Sequence, residues 1–343
     1  MPRNVRIIHF CPWADRLETV ADFLARVPTL DLAPRVARPD LLPMARLDCD
    51  WHAENSRAFA AMQHPEISFQ PALVTGPAGF LALAKLTRPD DEEWWLIFDG
   101  QTPQKLAGML TKILKVLTPL RLRVGWYAFD EVSRTISAFA ELAPSLDLLI
   151  HDEFPIAPTA QALLPKSCRT IHRSWVANVV PFSVPFNESP EDKIVFLGSK
   201  LGLTEHRQRQ IDFLKAEFGN RFVAIHDHSV AVADRHTLNR FKVSVCPEGR
   251  KFTTPAMSAT HTDRPFWSGC LGMIPVSENS ATGDRLNALA SEQMIFRYSH
   301  GNLAELKRAC ELALSASTEQ RRKIYEHFNR FETVGTVFAA AIA

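Results

Sequence analysis

Residues 241–249, FKVSVCPEG, and residues 261–279, HTDRPFWSGCLGMIPVSEN, decide how this chain is read. Lys242–Val245 is a short apolar run with β-branched residues, and Pro247-Glu248-Gly249 is turn chemistry, so the first stretch ends a strand. In the second stretch Thr262 or Asp263 stands where a helix cap belongs, and Pro265 suits the first turn. Phe266, Trp267, Cys270 and Leu271 then follow as core positions. Gly272 closes the helix, and Met273 to Val276 enter the next strand. This strand–loop–helix–strand unit places Glu248 at a strand end and Arg264 at a helix start. Backbone amides and the positive end of the helix dipole there favour an anion such as phosphate.

The same alternation runs outward from this segment. Strands are expected at Val5–Phe10, Trp94–Phe98, Leu122–Tyr127, Leu146–Ile150, Arg169–His172, Lys193–Leu197, Arg221–Ile225, Lys242–Val245, Gly272–Val276 and Gln293–Tyr298. Helical patterns lie between them at Asp15–Val27, Pro103–Leu117, Arg134–Leu142 and His206–Phe218. Strands alternating with helices predict an α/β protein with parallel sheets covered on both faces. Pro181, Pro185 and Pro190 interrupt the pattern and mark a linker, because proline cannot continue a central strand. The organisation expected is a Rossmann-like domain over 1–178, a linker over 179–192, a second Rossmann-like domain over 193–320 and a C-terminal helix over 321–343. That helix is read as long and as packing back on the first domain.

Composition narrows the function. The 343 residues suffice for about two domains at roughly 150 residues each. Hydrophobic content of 46% and charged content of 22% are ordinary for a globular protein. A net charge of +1 supplies no broad basic field for nucleic acid or an anionic membrane. The six cysteines are scattered, with no CxxC pair, and read as reduced thiols of a cytoplasmic protein. Residues 1–10 do not resemble a signal peptide. The most apolar window, Ala72 to Ala84, is broken by Gly76, Pro77 and Gly79 and is too short to span a bilayer. A peripheral membrane association through a surface helix stays compatible with these residues.

Ligands of open α/β sheets bind beyond the carboxyl ends of the strands, so the residues there are the candidates. The strand at Lys193–Leu197 runs into Gly198-Ser199-Lys200, then Thr204 and a helix carrying His206, Arg207 and Arg209. Glycine allows close backbone approach, and Lys200 and Arg207 would neutralise a diphosphate. The same residues also make an ordinary solvated loop and charged helix face. Glu248 suits the hydroxyl pair of a ribose or sugar, or simply a turn. His226-Asp227-His228 lacks a third ligand at metal spacing and reads better as a polar loop. In the first half, strand ends carry Asp15 with Arg16, Asp99, Asp130 with Glu131, and Asp152 with Glu153. A carboxylate there would serve as general base toward an attacking hydroxyl; the alternative for each is a cap or turn. No metal ligand set, glycine-rich dinucleotide fingerprint, Walker motif or GxSxG elbow is present in the sequence.

The decisive segment resembles the motif of α1,3-fucosyltransferases. That motif is a strand ending Phe-Glu-Asn, then Thr-Glu-Lys, then a helix running into Ala-Gly-x-Val-Pro-Val. Glu248 falls on the glutamate, Thr262, Asp263 and Arg264 fall on Thr-Glu-Lys, and Gly272-Met-Ile-Pro-Val276 falls on the closing stretch. Gly249 stands in place of the asparagine. Arg207 matches an arginine on the first helix of the domain. Exostosin-like and spore-maturation-type (CgeB-like) glycosyltransferases share the layout. The resemblance covers about residues 190–320 at fold level. It implies a GT-B glycosyltransferase: two Rossmann-like domains facing a cleft, the nucleotide in the second domain and the acceptor in the first. The implied donor is a GDP- or UDP-linked sugar, and no cofactor or bound metal is implied. Ser199, Lys200, Arg207, Glu248, Thr262, Asp263 and Arg264 would bind the donor, and Asp130, Glu131 or Asp152 would act as base. Trp267 or Ser268 stands where retaining enzymes carry a second glutamate, which favours inversion. The competing readings are an epimerase or phosphorylase on the same fold and a catalytically inactive nucleotide-binding protein.

Overall fold

The computed structural model describes residues 2–10, 54–74, 77–99, 110–128, 140–151, 156–173, 176–198, 204–226, 232–247, 263–279 and 284–343. These form two compact units. Unit 1 is Met1–Arg173 with Val334–Ala343, and unit 2 is Ser174–Thr333.

Unit 1 is built on six parallel strands: β1 (Arg3–Phe10), β2 (Ile67–Val74), β3 (Glu92–Asp99), β4 (Arg123–Ala128), β5 (Leu148–His151) and β6 (Arg169–His172). Their spatial order is β2-β1-β3-β4-β5-β6. Unit 2 holds five: β7 (Glu191–Leu197), β8 (Phe222–Ile225), β9 (Phe241–Cys246), β10 (Ile274–Asn279) and β11 (Phe296–Ser299), in the order β11-β10-β9-β7-β8. Every pairing in both sheets is parallel. Numbered within each unit, both orders begin 2-1-3-4-5, the flavodoxin-like doubly wound arrangement. The direction of winding reverses between β1 and β3 in unit 1 and between β7 and β9 in unit 2. The α/β class with two Rossmann-like units is therefore the observed architecture.

Each expected strand is present, and β2 is one more. Its sequence, ISFQPALV, contains Pro71, which argues against a central strand. β2 lies at the sheet edge, paired on one side only with β1, and there a proline costs no ladder bond that the sheet requires.

Among the helices are α1 (54–60), α2 (Pro77–Leu83), α3 (Glu205–Phe218), α4 (Arg264–Cys270), α5 (Asp284–Ser291), α6 (Leu303–Ser315), α7 (Thr318–Phe331) and α8 (Val334–Ile342). The stretch expected as one C-terminal helix over 321–343 is two. The break falls at Glu332 and Thr333, both fully buried. The Glu332 carbonyl accepts the Ala177 amide at 2.7 Å, and Thr333 forms a parallel bridge with Ala177. Pulling this backbone into a strand-like bridge ends α7 and starts α8.

The two helices serve different units. α7 packs on α4: Gly269 comes so close to Phe328 that a Cβ there would lie 2.4 Å from the ring. Buried Arg321 of α7 donates to the carbonyls of Gly272 and Asn187, each at 3.0 Å. Residues 179–192, expected as a linker, pack in unit 2, where Phe186 contacts the rings of Tyr325 and Arg321 lies over it. α8 packs in unit 1, as the sequence reading of a returning terminal helix expects. Gly335 approaches the Ala58 carbonyl, Phe338 meets Phe59 edge-on at 4.9 Å, and Arg3 and Arg169 donate to the last carbonyls, Ile342 and Ala341.

Each unit has its own core. Ile8, Phe10, Trp94, Leu96, Phe98, Trp126 and Leu149 anchor unit 1. Ile194, Phe196, Val243, Val245, Phe266, Trp267, Ile274 and Phe328 anchor unit 2. Burial pushes the Cys168 thiol up to about 11, with Asp147 adding to the effect, and burial raises Cys270 and Cys310 well above the ordinary range. These are protonated, unreactive thiols at neutral pH.

Candidate functional site

The described parts of the decisive segment, 241–247 and 263–279, form the strand, helix and strand that the sequence predicts. β9 ends at Cys246, α4 begins at Arg264, and Gly272 closes α4 at φ 79°. The Met273 amide bonds the Ser268 carbonyl at 3.1 Å and the Gly272 amide bonds the Gly269 carbonyl at 3.0 Å, which is a Schellman stop. One detail differs: Asp263 makes no side-chain cap, and its backbone is already helical. Its carbonyl instead accepts the amides of Phe266 and Trp267. The start of α4 is set by Pro265 in the first turn and by the buried Phe266 and Trp267, not by a carboxylate cap.

Arg264 is half-buried, with its guanidinium carbon 5.8 Å from the centre of the Phe196 ring on β7. Its Nη1 is buried, with no hydrogen-bond partner among the described residues. The His226 ring, at the end of β8, lies 5.7 Å from the same Phe196 ring. Gly198 follows Phe196 on the same face of the strand, and a Cβ there would sit 2.5 Å from the ring. Only glycine leaves Phe196 where it is. Arg264, Phe196, Gly198 and His226 thus gather at the carboxyl edge of β7 and β8, beside the switch point between β7 and β9.

Arg207 lies on the buried face of α3 and is 5% exposed. Thr204 caps α3, its hydroxyl accepting the Arg207 amide at 3.2 Å. Ser199, Lys200, Glu248 and Thr262 lie outside the described residues, as do Asp130, Glu131 and Asp152. β4 ends at Ala128 and β5 at His151, so Asp152 follows its strand directly in sequence, and Asp130 and Glu131 follow theirs after Phe129.

Two groupings escaped sequence reading. In unit 1, His9 of β1 and Asp99 of β3 meet at the switch point. His9 Nε2 lies 3.3 Å from Asp99 Oδ1, close but out of line for a hydrogen bond. His9 Nδ1 is 2.6 Å from the Ser56 hydroxyl, and Asn55 donates to Asp99 Oδ2 at 2.6 Å. Which of the Ser56 hydroxyl and Nδ1 donates depends on the ring tautomer. All four side chains are buried. Asp99 was among the strand-end acids; the visible signal for His9 was one polar residue inside the apolar run Ile7–Phe10. In unit 2, Glu278 at the end of β10 is fully buried, with His206 and His300 beside it. A carboxylate directly after the strand run Met273–Ser277 was the available signal.

No protein-family model matches the chain, and no curated protein matches it in sequence. Solved structures do resemble it distantly. One is the catalytic domain of starch synthase IV from Arabidopsis thaliana bound to ADP and acarbose: 11% identity, 85% of this chain and 76% of that chain covered, TM-score 0.45. Another is a UDP-forming α,α-trehalose-phosphate synthase from Burkholderia vietnamiensis: 14% identity, 100% and 98% covered, TM-score 0.42. A third is the glycotransferase of kitacinnamycin: 10% identity, 99% and 98% covered, TM-score 0.38. Likeness at this level carries no argument about chemistry, which rests on the residues above. Among the described residues no helix is long and apolar enough to cross a membrane.

Proposed function

We propose that the chain is a GT-B glycosyltransferase that moves a sugar from a GDP- or UDP-linked donor to a hydroxyl of a glycan or other acceptor. The observation that carries this reading is Arg264 Nη1, buried beside the unit 2 switch point with no hydrogen-bond partner among the described residues. Leaving a guanidinium donor unsatisfied in a folded protein costs about 1–3 kcal/mol or more, and a bound anion removes that cost. A diphosphate is the anion that suits a switch-point glycine, an arginine and the start of a helix together.

In the proposed reaction the acceptor oxygen attacks the anomeric carbon and the bond from that carbon to the phosphate oxygen breaks. The nucleoside diphosphate leaves with its electron pair, and the acceptor proton passes to a carboxylate. Arg264, with Arg207 and Lys200, would stabilise the charge that develops on the leaving group. Glu248 would take the ribose or sugar hydroxyls, and Ser199, Thr262 and Asp263 would complete the donor site. Asp130, Glu131 or Asp152 would be the base, in an inverting transfer that needs no metal at the reacting atoms.

A thermal-shift titration with UDP and GDP tests the reading. One of them is expected to raise the melting temperature of the wild-type protein and to leave that of Arg264→Ala unmoved. No shift with either nucleotide sinks the reading, and an equal shift in the variant removes Arg264 from it.

A further inference from the structure

We infer that His206, Glu278 and His300 form a binding site for one divalent transition-metal cation of the Zn²⁺ class. Their ligand atoms all lie within 4.8 Å of one another. Two imidazoles and one carboxylate make a donor set that such cations accept, with positions left for water. The residues come from three elements of unit 2: the first turn of α3, the end of β10 and the turn after β11. A cation among them would tie these elements together. The inference does not depend on the transfer reaction and assigns the metal no part in it.

The contacts around His206 supply the physical reason. Its Nε2 lies 2.8 Å from Glu278 Oε1 and 2.7 Å from Gln210 Nε2. The Gln210 amide has a defined orientation, because Tyr298 donates to its Oε1 at 2.5 Å and its Nε2 donates to Glu278 Oε1 at 3.0 Å. If His206 carries a proton on Nε2, that N–H faces the amide donor. If it carries none, its lone pair faces a carboxylate oxygen. Neither tautomer satisfies both neighbours. A cation that takes the lone pairs of the imidazole and the carboxylate removes the conflict.

The surroundings already hold Glu278 in place for this. Its side chain is fully buried, and Oε1 accepts the Gly301 amide at 2.8 Å. Gly301 has φ 69°, a conformation that glycine adopts without strain, and this aims its N–H at the carboxylate. Gln210 and Gly301 are thus outer-sphere donors that orient the ligand carboxylate. His300 Nδ1 is 3.2 Å from the same oxygen, and its side chain is 53% exposed. The two rings stack at 4.3 Å with 15° between their planes. Parallel rings do not aim both lone pairs at one point, so chelation requires the exposed His300 ring to turn about its Cβ–Cγ bond. Its exposure leaves room for that turn.

The test is isothermal titration of Zn²⁺ into EDTA-stripped, dialysed full-length protein, with Co²⁺ absorption as a second readout of the ligand set. One Zn²⁺ per chain with micromolar or tighter affinity is expected. His300→Ala and His206→Ala should each weaken it at least tenfold and lose the Co²⁺ bands. Glu278→Gln is informative only if it folds, so the two histidine variants decide, each checked by circular dichroism for an unchanged metal-free fold. His228→Ala, in the other histidine pair, should bind as wild type. Absence of 1:1 binding, wild-type affinity in both histidine variants, or loss confined to His228→Ala would overturn the assignment.

Discussion

The two sheets share a strand order and differ in what each holds where that order reverses. At the unit 1 switch point, the Asp99 carboxylate is enclosed with His9, Asn55 and Ser56 around it. At the unit 2 switch point, a guanidinium nitrogen of Arg264 is enclosed with no hydrogen-bond partner among the described residues. Parallel sheets bring polar residues to their carboxyl ends by topology alone, so position does not separate the two cases. Partners do. The Asp99 carboxylate is met by its neighbours, although His9 Nε2 and Asn55 Oδ1 in the same group are buried without a hydrogen bond; the Arg264 nitrogen is a charged donor with no acceptor among the described residues, which is the costlier case.

Substitutions of opposite sign test this contrast. The largest effect is expected from Asp99→Ala, which strips the acceptor from Asn55 and the anion from His9. Losing a buried hydrogen bond to a charged group and leaving the Asn55 amide without its acceptor costs about 3 kcal/mol, read as a lower midpoint of urea unfolding. A loss below 1 kcal/mol would show that the unit 1 group is not structural. Arg264→Met keeps the bulk of the side chain over Phe196 and deletes the unmet donor. It should raise the unfolding free energy by about 1–3 kcal/mol without ligand, while the nucleotide-induced shift disappears. A destabilised variant would mean that the arginine supports the fold, and the contrast between the units would fail. The smallest effect belongs to Ser56→Ala, about 1 kcal/mol for one hydrogen bond to His9, measured by the same unfolding curve.

The legibility of the chain follows the range of its interactions. β6 was read at its observed bounds, because Arg169–His172 sits between turn residues. The decisive segment was readable because Pro265, the apolar residues of α4 and Gly272 act within a few residues of one another. β2 was missed because its proline is harmless only at a sheet edge, and edge position is a property of the sheet. The split of the C-terminal helix was missed because it depends on Ala177, more than 150 residues earlier. In the candidate site, Arg264 and Arg207 stood out through a local motif. His9 with Asp99, and Glu278 with His206 and His300, are assembled across strands and leave only isolated polar residues in the sequence.

Local order therefore determined the α/β alternation, the strand–loop–helix unit and the placement of Arg264 at a helix start, since backbone preference and hydrophobic spacing act between near neighbours. The tertiary structure alone decided which polar groups meet. It enclosed Asp99 among partners, left one nitrogen of Arg264 without any among the described residues, and gathered two histidines on Glu278. Those outcomes depend on burial and on contacts between elements far apart in the chain, and a donor or carboxylate acquires its energetic meaning only when water has been removed from around it.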